Sequence, residues 1–321
     1  MKNIAVFTSG GDASGMNACI RAIVRAGLQK GLKVFGIYNG YEGMIEGKIV
    51  ALDSSFVEHI IHRGGTVLKS ARSKRFLTVD GRKQAYDQLK AKGIEGVIAI
   101  GGDGTFKGAA EFYKEHGIPF VGLPGTIDND LFGTDITIGY DTAINTAMEA
   151  IDKVRDTASS HGRLFFVEVM GRDVGYIALG SGIASGAEDI FIPETHTDLE
   201  QVYENLKNCP QKDSYIIVVS EGDEAGNVKD ISAAFKQAHP EYDIRFLVLG
   251  HLLRGGNPTA GDRILASRLG IEAVNALISD NHNVMIGWQK GNFSYTPLEK
   301  AVKHHIDINK ELLDILKTLS Y

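Results

Sequence analysis

The sequence predicts an α/β protein with a mostly parallel sheet wrapped by helices, and three observations carry that prediction. Short apolar runs recur along the chain, each is followed by a polar loop rich in glycine, and stretches with helical apolar spacing fill the intervals. Glycine itself is in excess, at 38 of 321 residues, about 12% against the usual ~7%. The excess is not low-complexity filler, because the glycines cluster directly after apolar runs.

Residues 4–7 predict the first strand, followed by Thr-Ser-Gly-Gly-Asp from Thr8. Ile20, Ile23, Val24, Gly27 and Leu28 then mark one face of a helix that Gly31 stops. A second strand is predicted over 34–37 and a third over 97–100, which runs into Gly-Gly-Asp-Gly-Thr at 101–105. Residues 120–123 lead into Pro-Gly-Thr-Ile-Asp-Asn-Asp at 124–130. A helix over 142–155 carries Ala143, Ala147, Ile151 and Val154 on one side. Further strands over 164–169, 216–219 and 246–249 precede Met-Gly-Arg, Ser-Glu-Gly and Gly-His-Leu-Leu-Arg-Gly-Gly, and a last long helix spans about 262–278. In such sheets ligands bind beyond the carboxyl ends of the strands, and the unusual loops all fall there.

Length and composition bound the rest. A chain of 321 residues makes two domains or one large one. With 43% apolar and 23% charged residues it is a folded chain rather than a disordered one. The net charge of −6 argues against a general nucleic-acid binder. Cys19 and Cys209 cannot form a disulfide framework, so a reducing cytoplasm is the expected home. No signal peptide is recognised, and no apolar run approaches the ~18 residues of a membrane span, so no membrane partner is expected.

The loops carry the chemistry. The turn at 9–15 can point several backbone N–H groups at one anion, with a helix N-terminus behind it. It is neither a G-x-G-x-x-G fingerprint, because Asp12 interrupts that spacing, nor a P-loop. In 101–105 a lone carboxylate, Asp103, sits among backbone donors and a hydroxyl, which suits phosphate together with a Mg²⁺ that keeps most of its waters, although an Asp there also caps helices. In 124–130, Thr126, Asp128 and Asp130 alternate, so an extended segment would set them on one face, with two carboxylates to serve a metal and a proton acceptor. A run of Asn and Asp is also ordinary turn chemistry. Cations gather too: Arg63, Lys69, Arg72, Lys74 and Arg75 fall in an acid-free stretch, while Arg163, Arg172, Arg245, His251 and Arg254 flank later strands. Guanidinium forks match phosphate oxygens, so the set points to a phosphorylated substrate.

Taken in order and spacing, these motifs resemble those of bacterial ATP-dependent 6-phosphofructokinases over nearly the whole chain. The resemblance implies two doubly wound, Rossmann-like domains with the active site in the cleft between them. Residues 1–139 plus 253–305 would bind ATP, and 140–252 plus 306–321 would bind fructose 6-phosphate. It implies that Asp128 takes the proton of the sugar 1-hydroxyl, that Thr126, Arg172 and Gly11 attend the transferring phosphoryl group, and that Asp103 holds Mg²⁺. Gly11, Arg72, Ser73, Gly102, Asp103, Gly104 and Thr105 would surround ATP. Thr126, Asp128, Met170, Gly171, Arg172, Glu221, His251 and Arg254 would meet the sugar phosphate, with Arg163 and Arg245 arriving from a neighbouring subunit of a homotetramer. An ADP or phosphoenolpyruvate effector site would use Arg21, Arg25, Arg155, Gly186, Glu188 and Lys212. Ser54 stands where relatives carry a basic residue and few lysines precede the 216–219 strand, so weakened or altered regulation is expected.

Two readings compete with this one. Relatives that use pyrophosphate carry Asp at the position of Gly104 and Lys at that of Gly125, so both glycines read as ATP. A non-catalytic sugar-phosphate or nucleotide sensor on the same fold would have no need of Asp103, Asp128 and Arg172 together.

Overall fold

The computed structural model describes residues 1–208, 213–303 and 310–320. Along the chain run β1 (Asn3–Thr8), α1 (Met16–Gln29), β2 (Lys33–Ile37), α2 (Gly40–Ile45), β3 (Ile49–Leu52), α3 (Val79–Ala91), β4 (Gly96–Gly101), α4 (Asp103–His116) and β5 (Phe120–Pro124). There follow α5 (Tyr140–His161), β6 (Arg163–Val169), α6 (Tyr176–Ala184), β7 (Asp189–Phe191), α7 (Leu199–Asn208), β8 (Tyr215–Ser220), α8 (Val228–Ala238) and β9 (Asp243–Val248). The chain closes with α9 (Ala260–Ile278), β10 (Val284–Gln289), β11 (Asn292–Pro297) and α10 (Lys310–Ser320). It divides into two compact units, Met1–Thr142 with Arg254–His304, and Ala143–Leu253 with His305–Tyr321.

The first unit holds a seven-stranded sheet in the order β11-β10-β5-β4-β1-β2-β3. Strands β10, β5, β4, β1 and β2 are parallel, and the edge strands β3 and β11 are antiparallel. Its central strands β4 and β5 are buried along their whole length, the pattern of strands covered on both faces. On one side, Phe7, Phe106, Phe112 and Phe120 are wholly buried, each worth ~1.5–3 kcal/mol in apolar surface removed from water. The face of α1 that the sequence marks is buried at Ile20, Ile23, Val24 and Gly27, whereas Leu28 is partly exposed. Gly31, at φ +75°, ends that helix. Thr78 and Thr259 cap α3 and α9 by accepting from Gly81 N and Asp262 N.

The second unit carries a parallel four-stranded sheet in the order β7-β8-β6-β9, packed around Phe166, Phe191, Ile217, Val219 and Phe235. Its strand β9 begins three residues earlier than the apolar run 246–249 predicts, because Asp243 and Arg245 pair in register with Arg163 and Phe165. Helix α5 likewise extends beyond the predicted 142–155 at both ends. Among the described residues no helix is long and apolar enough to cross a membrane.

Candidate active site

The carboxyl ends of β1, β4 and β5, neighbours in the first sheet, bring the three glycine loops together. Ser9 N donates to Ile100 O (3.0 Å) and Gly125 N to Gly101 O (2.9 Å), which ties each loop to the next. Gly15, at φ +113°, opens α1; a Cβ there would stand 2.7 Å from Ile138 Cγ2. A long surface loop is drawn across this edge by Asn17, whose Nδ2 donates to Arg63 O and Gly64 O (both 3.0 Å) and whose Oδ1 accepts from Val67 N (2.7 Å). Ser70 Oγ donates to Gly10 O (2.5 Å), and Arg72 follows at the lip.

These pieces enclose a cavity of about 610 Å³ built entirely from the first unit. One part is lined by Gly11, Gly102, Gly104, Thr105, Thr126 and Asp128, with Arg72 and Arg254 at its border. The guanidinium of Arg254 lies over Gly11, where a Cβ would come within 2.5 Å of Nη1, and Nη1 donates to Asp12 O (3.2 Å). A Cβ at Gly104 would meet nothing within 4 Å, so the space beside it is open. Asp103 begins α4. Its Oδ2 accepts from Lys107 Nζ (3.0 Å), while buried Oδ1, close to the same ammonium, has no hydrogen bond.

The cavity then extends along α4 into an aromatic lobe formed by Tyr41, Phe76, Leu77 and Gly108. Tyr41 stacks on Phe76 with ring centroids 3.8 Å apart and donates its hydroxyl to Thr105 O (2.6 Å). Burial pushes the Tyr41 phenol up from its ordinary pKa, so it stays a donor. The turn carrying Phe76 and Leu77 is held from two sides. Ser73 Oγ donates to Glu42 (2.5 Å) and accepts from Phe76 N (3.1 Å), while Arg82 Nη1 donates to Phe76 O (3.1 Å) and Leu77 O (3.0 Å). Arg82 also clasps Glu115 through Nε (2.7 Å) and Nη2 (2.6 Å), which holds the Glu115 carboxyl below its usual range. No sequence motif marks Tyr41, Phe76 or Arg82, which come from three separate segments.

The loop 124–130 corrects one expectation. Thr126 and Asp128 face the cavity, but Asp130 does not share their face: it is buried and paired with Lys303 (3.2 Å). The reason is Asn129, whose φ of +54° breaks the extended alternation. The two-carboxylate reading of this loop therefore reduces to Asp128.

The second unit gathers its candidates differently. Met170, Gly171 and Arg172 follow β6 and Glu221 follows β8, with Glu221 N donating to Val169 O (2.8 Å). Arg172 adopts φ +51°, and a Cβ on Gly222 would strike its carbonyl at 2.1 Å. His251 and its exposed neighbour Leu252 follow β9. Arg163 and Arg245 instead stand near the amino ends of β6 and β9, held by one carboxylate: Arg163 Nε reaches Asp243 Oδ2 (2.8 Å) and Arg245 Nη1 reaches Asp243 Oδ1 (2.6 Å).

Residues 3–277 match the family model for phosphofructokinase. The chain belongs to the phosphofructokinase family. It is 55% identical, over the full length of both chains, to a Thermus thermophilus protein named ATP-dependent 6-phosphofructokinase 1. It is 52% identical to ATP-dependent 6-phosphofructokinase 2 of Bacteroides thetaiotaomicron, covering 100% of this chain and 99% of that one. Among solved structures, phosphofructokinase from Saccharomyces cerevisiae matches all of this chain at 34% identity and a TM-score of 0.89, this chain spanning 47% of that one. A pyrophosphate-dependent phosphofructokinase from Marinobacter aquaeolei shares the fold, with a TM-score of 0.85 at 22% identity over 99% of this chain and 91% of that one.

The remaining candidates of this phosphofructokinase fall into two sets. Arg21 and Arg25 lie one turn apart on α1 in the first unit; Arg21 Nε is buried without a partner, and burial together with Arg25 lowers its pKa from the ordinary arginine value. In the second unit Arg155 Nη2 donates to Ser185 O (3.0 Å) and Gly186 O (2.8 Å) and lies 3.5 Å from the buried Glu188, whose Oε2 accepts from Ile216 N (2.6 Å). Lys212 and Cys209 lie outside the described residues.

Proposed function

We propose that this chain transfers the γ-phosphoryl group of ATP to the 1-hydroxyl of D-fructose 6-phosphate, giving fructose 1,6-bisphosphate and ADP, the committed step of glycolysis. The observation that carries the choice of donor is the aromatic lobe: the cavity runs on along α4 past the phosphate-binding loops, between Tyr41, Phe76 and Gly108. Pyrophosphate would leave that lobe empty, and a nucleoside fills it. The open space at Gly104 suits the α-phosphate for the same reason.

In this reading the first unit is the nucleotide domain and the second the sugar domain. Backbone N–H groups of 102–105 and Gly11 cradle the phosphates at the N-terminus of α4, where the helix dipole favours anions, and Arg72 covers them. The Asp103 carboxylate, whose buried Oδ1 makes no hydrogen bond and has the Lys107 ammonium 3.0 Å away as its ionic partner, suits Mg²⁺ bound mainly through water and phosphate oxygens. That ion, when bound, neutralises charge developing on the phosphoryl oxygens. The Asp128 carboxylate accepts the hydroxyl proton as the oxygen–phosphorus bond forms and the bond to ADP breaks. Thr126 and Arg172 stabilise the phosphoryl group in flight. Met170, Gly171, Glu221 and His251 meet the sugar, and Arg254 its phosphate.

Arg163 and Arg245 serve the sugar site of a neighbouring subunit in a homotetramer. Support comes from β9, an edge strand whose Phe246 and Val248 are 47% and 50% exposed. Arg21, Arg25, Arg155, Gly186, Glu188 and Lys212 form an effector site for ADP or phosphoenolpyruvate. The cytoplasm is where this reaction runs.

A coupled assay with fructose 6-phosphate tests the proposal, with Mg-ATP and Mg-pyrophosphate offered in parallel. Turnover with ATP alone is the expected result. Turnover with pyrophosphate alone would remove the donor assignment, and none with either would return the chain to a sensor.

A further inference from the structure

The loop that carries Asp128 is irregular chain, and a general base works only when held within hydrogen-bond reach of the proton it takes. One of the elements that hold this loop is a second segment, 134–139, that runs beside it. We propose that Thr137, on that segment, is a positioning residue for the Asp128 carboxylate; the proposal rests on the reading of Asp128 as the base.

Thr137 brackets Asp128 from both sides. Its Oγ1 donates to Thr126 O (2.6 Å), two residues before, and its backbone N donates to Asn129 Oδ1 (2.8 Å), one residue after. Asn129 sits in the left-handed region at φ +54° and returns its Nδ2 to Asp135 O (3.1 Å), so its amide is used at both ends. Asn is among the few side chains that enter this region readily. Ile138 N, next along, donates to Pro124 O (2.8 Å). The loop is thus stapled to the 134–139 segment at 124, 126 and 129.

The segment is itself anchored from behind. Trp288 N donates to Thr134 Oγ1 (3.0 Å), Asp135 N to Trp288 O (2.8 Å) and Lys290 N to Asp135 Oδ2 (2.7 Å), all tying it to the end of β10. At its other end Gly139 N donates to Asp262 Oδ1 (2.7 Å). A segment anchored at both ends therefore grips a cavity-lining loop, and one of its staples is a wholly buried hydroxyl. Valine would fill the same volume, and a buried hydroxyl is costly unless it bonds. Here its bond goes to the backbone of Thr126, which lines the cavity.

The test compares wild type, Thr137→Val, Thr137→Ser, Asn129→Gly and Asp128→Ser for kcat, both KM values, ATP affinity by calorimetry, and Tm. Removing the hydroxyl should lower kcat by ~10–100-fold, the scale of a misplaced catalytic group, with ATP affinity unchanged; serine should restore most of it. Asn129→Gly keeps the left-handed backbone and should lower kcat likewise, carrying the test should Thr137→Val not fold. In the Asp128→Ser background Thr137→Val should cost nothing further, because the group it positions is gone. Unchanged kcat in Thr137→Val, no rescue by serine, or a parallel loss of ATP affinity would overturn the proposal. Wild-type turnover in Asp128→Ser would overturn the reading of the base instead.

Discussion

The two sheets of this chain deploy their charged groups in opposite ways. In the first unit the cavity-lining residues collect at the carboxyl ends of β1, β4 and β5 and line one cavity from a single chain segment set. In the second unit they divide between the two ends of the sheet. Met170 and Arg172 follow the last residue of β6, whereas Arg163 is its first. At ~3.3 Å per residue, roughly 20 Å of strand separates those ends. An arginine cannot span that length to a ligand at the carboxyl end of its own sheet. Within their own chain Arg163 and Arg245 pair with Asp243, and the proposed tetramer would give them a ligand on a neighbouring molecule.

The sharpest break of this contrast is at the base. Asp128→Ser should lower kcat at least ~10²-fold, the lower end of what a general base supplies, with sugar binding largely spared; steady-state kinetics with near-normal turnover would dismiss the role. Next, Gly104→Asp should raise the KM for ATP at least ~10-fold, about 1.4 kcal/mol of repulsion and lost space, without lowering Tm, since no atom lies within 4 Å of the new Cβ. Arg245→Ala should raise the sugar KM by a comparable ~10-fold through loss of a charge-assisted contact and leave that for ATP unchanged. Equal effects on both substrates would erase the distinction between the units.

The smallest effect concerns Glu115, whose clasp on Arg82 supports the aromatic lobe. Arg82 holds its folded pKa below the ordinary 4.5, with His116 Nε2 also 3.7 Å away. The stability from this pair is present above about pH 4.5 and is lost as pH falls through the lower folded value. The Tm gap between wild type and Glu115→Gln, open near neutral pH, should close in acid; a gap independent of pH would show that the carboxylate charge is not what matters.

The alternation of strands, loops and helices was legible because central parallel strands are continuous apolar runs that end in glycine. Strand β9 was only half legible, since an edge strand can carry Asp243 and Arg245 that a buried strand would not tolerate. The glycines that line the cavity announce themselves by composition. Tyr41 and Phe76 do not, because they read as two ordinary core aromatics until stacking brings them to the same wall. Asp130 was misassigned for a local reason: a single left-handed residue turns a face that period-two reasoning holds constant.

Gly125 limits what this loop can carry. A Cβ there would lie 2.9 Å from Ile100 Cγ2 and 3.1 Å from Met16 Cε, tight against the packed interior beneath the cavity-lining loop. A larger residue at this place would need a small shift of Ile100, while the Met16 methyl, at the end of a flexible side chain, could turn aside. Any side chain added at this edge of the cavity is therefore felt first by the hydrocarbon beneath it.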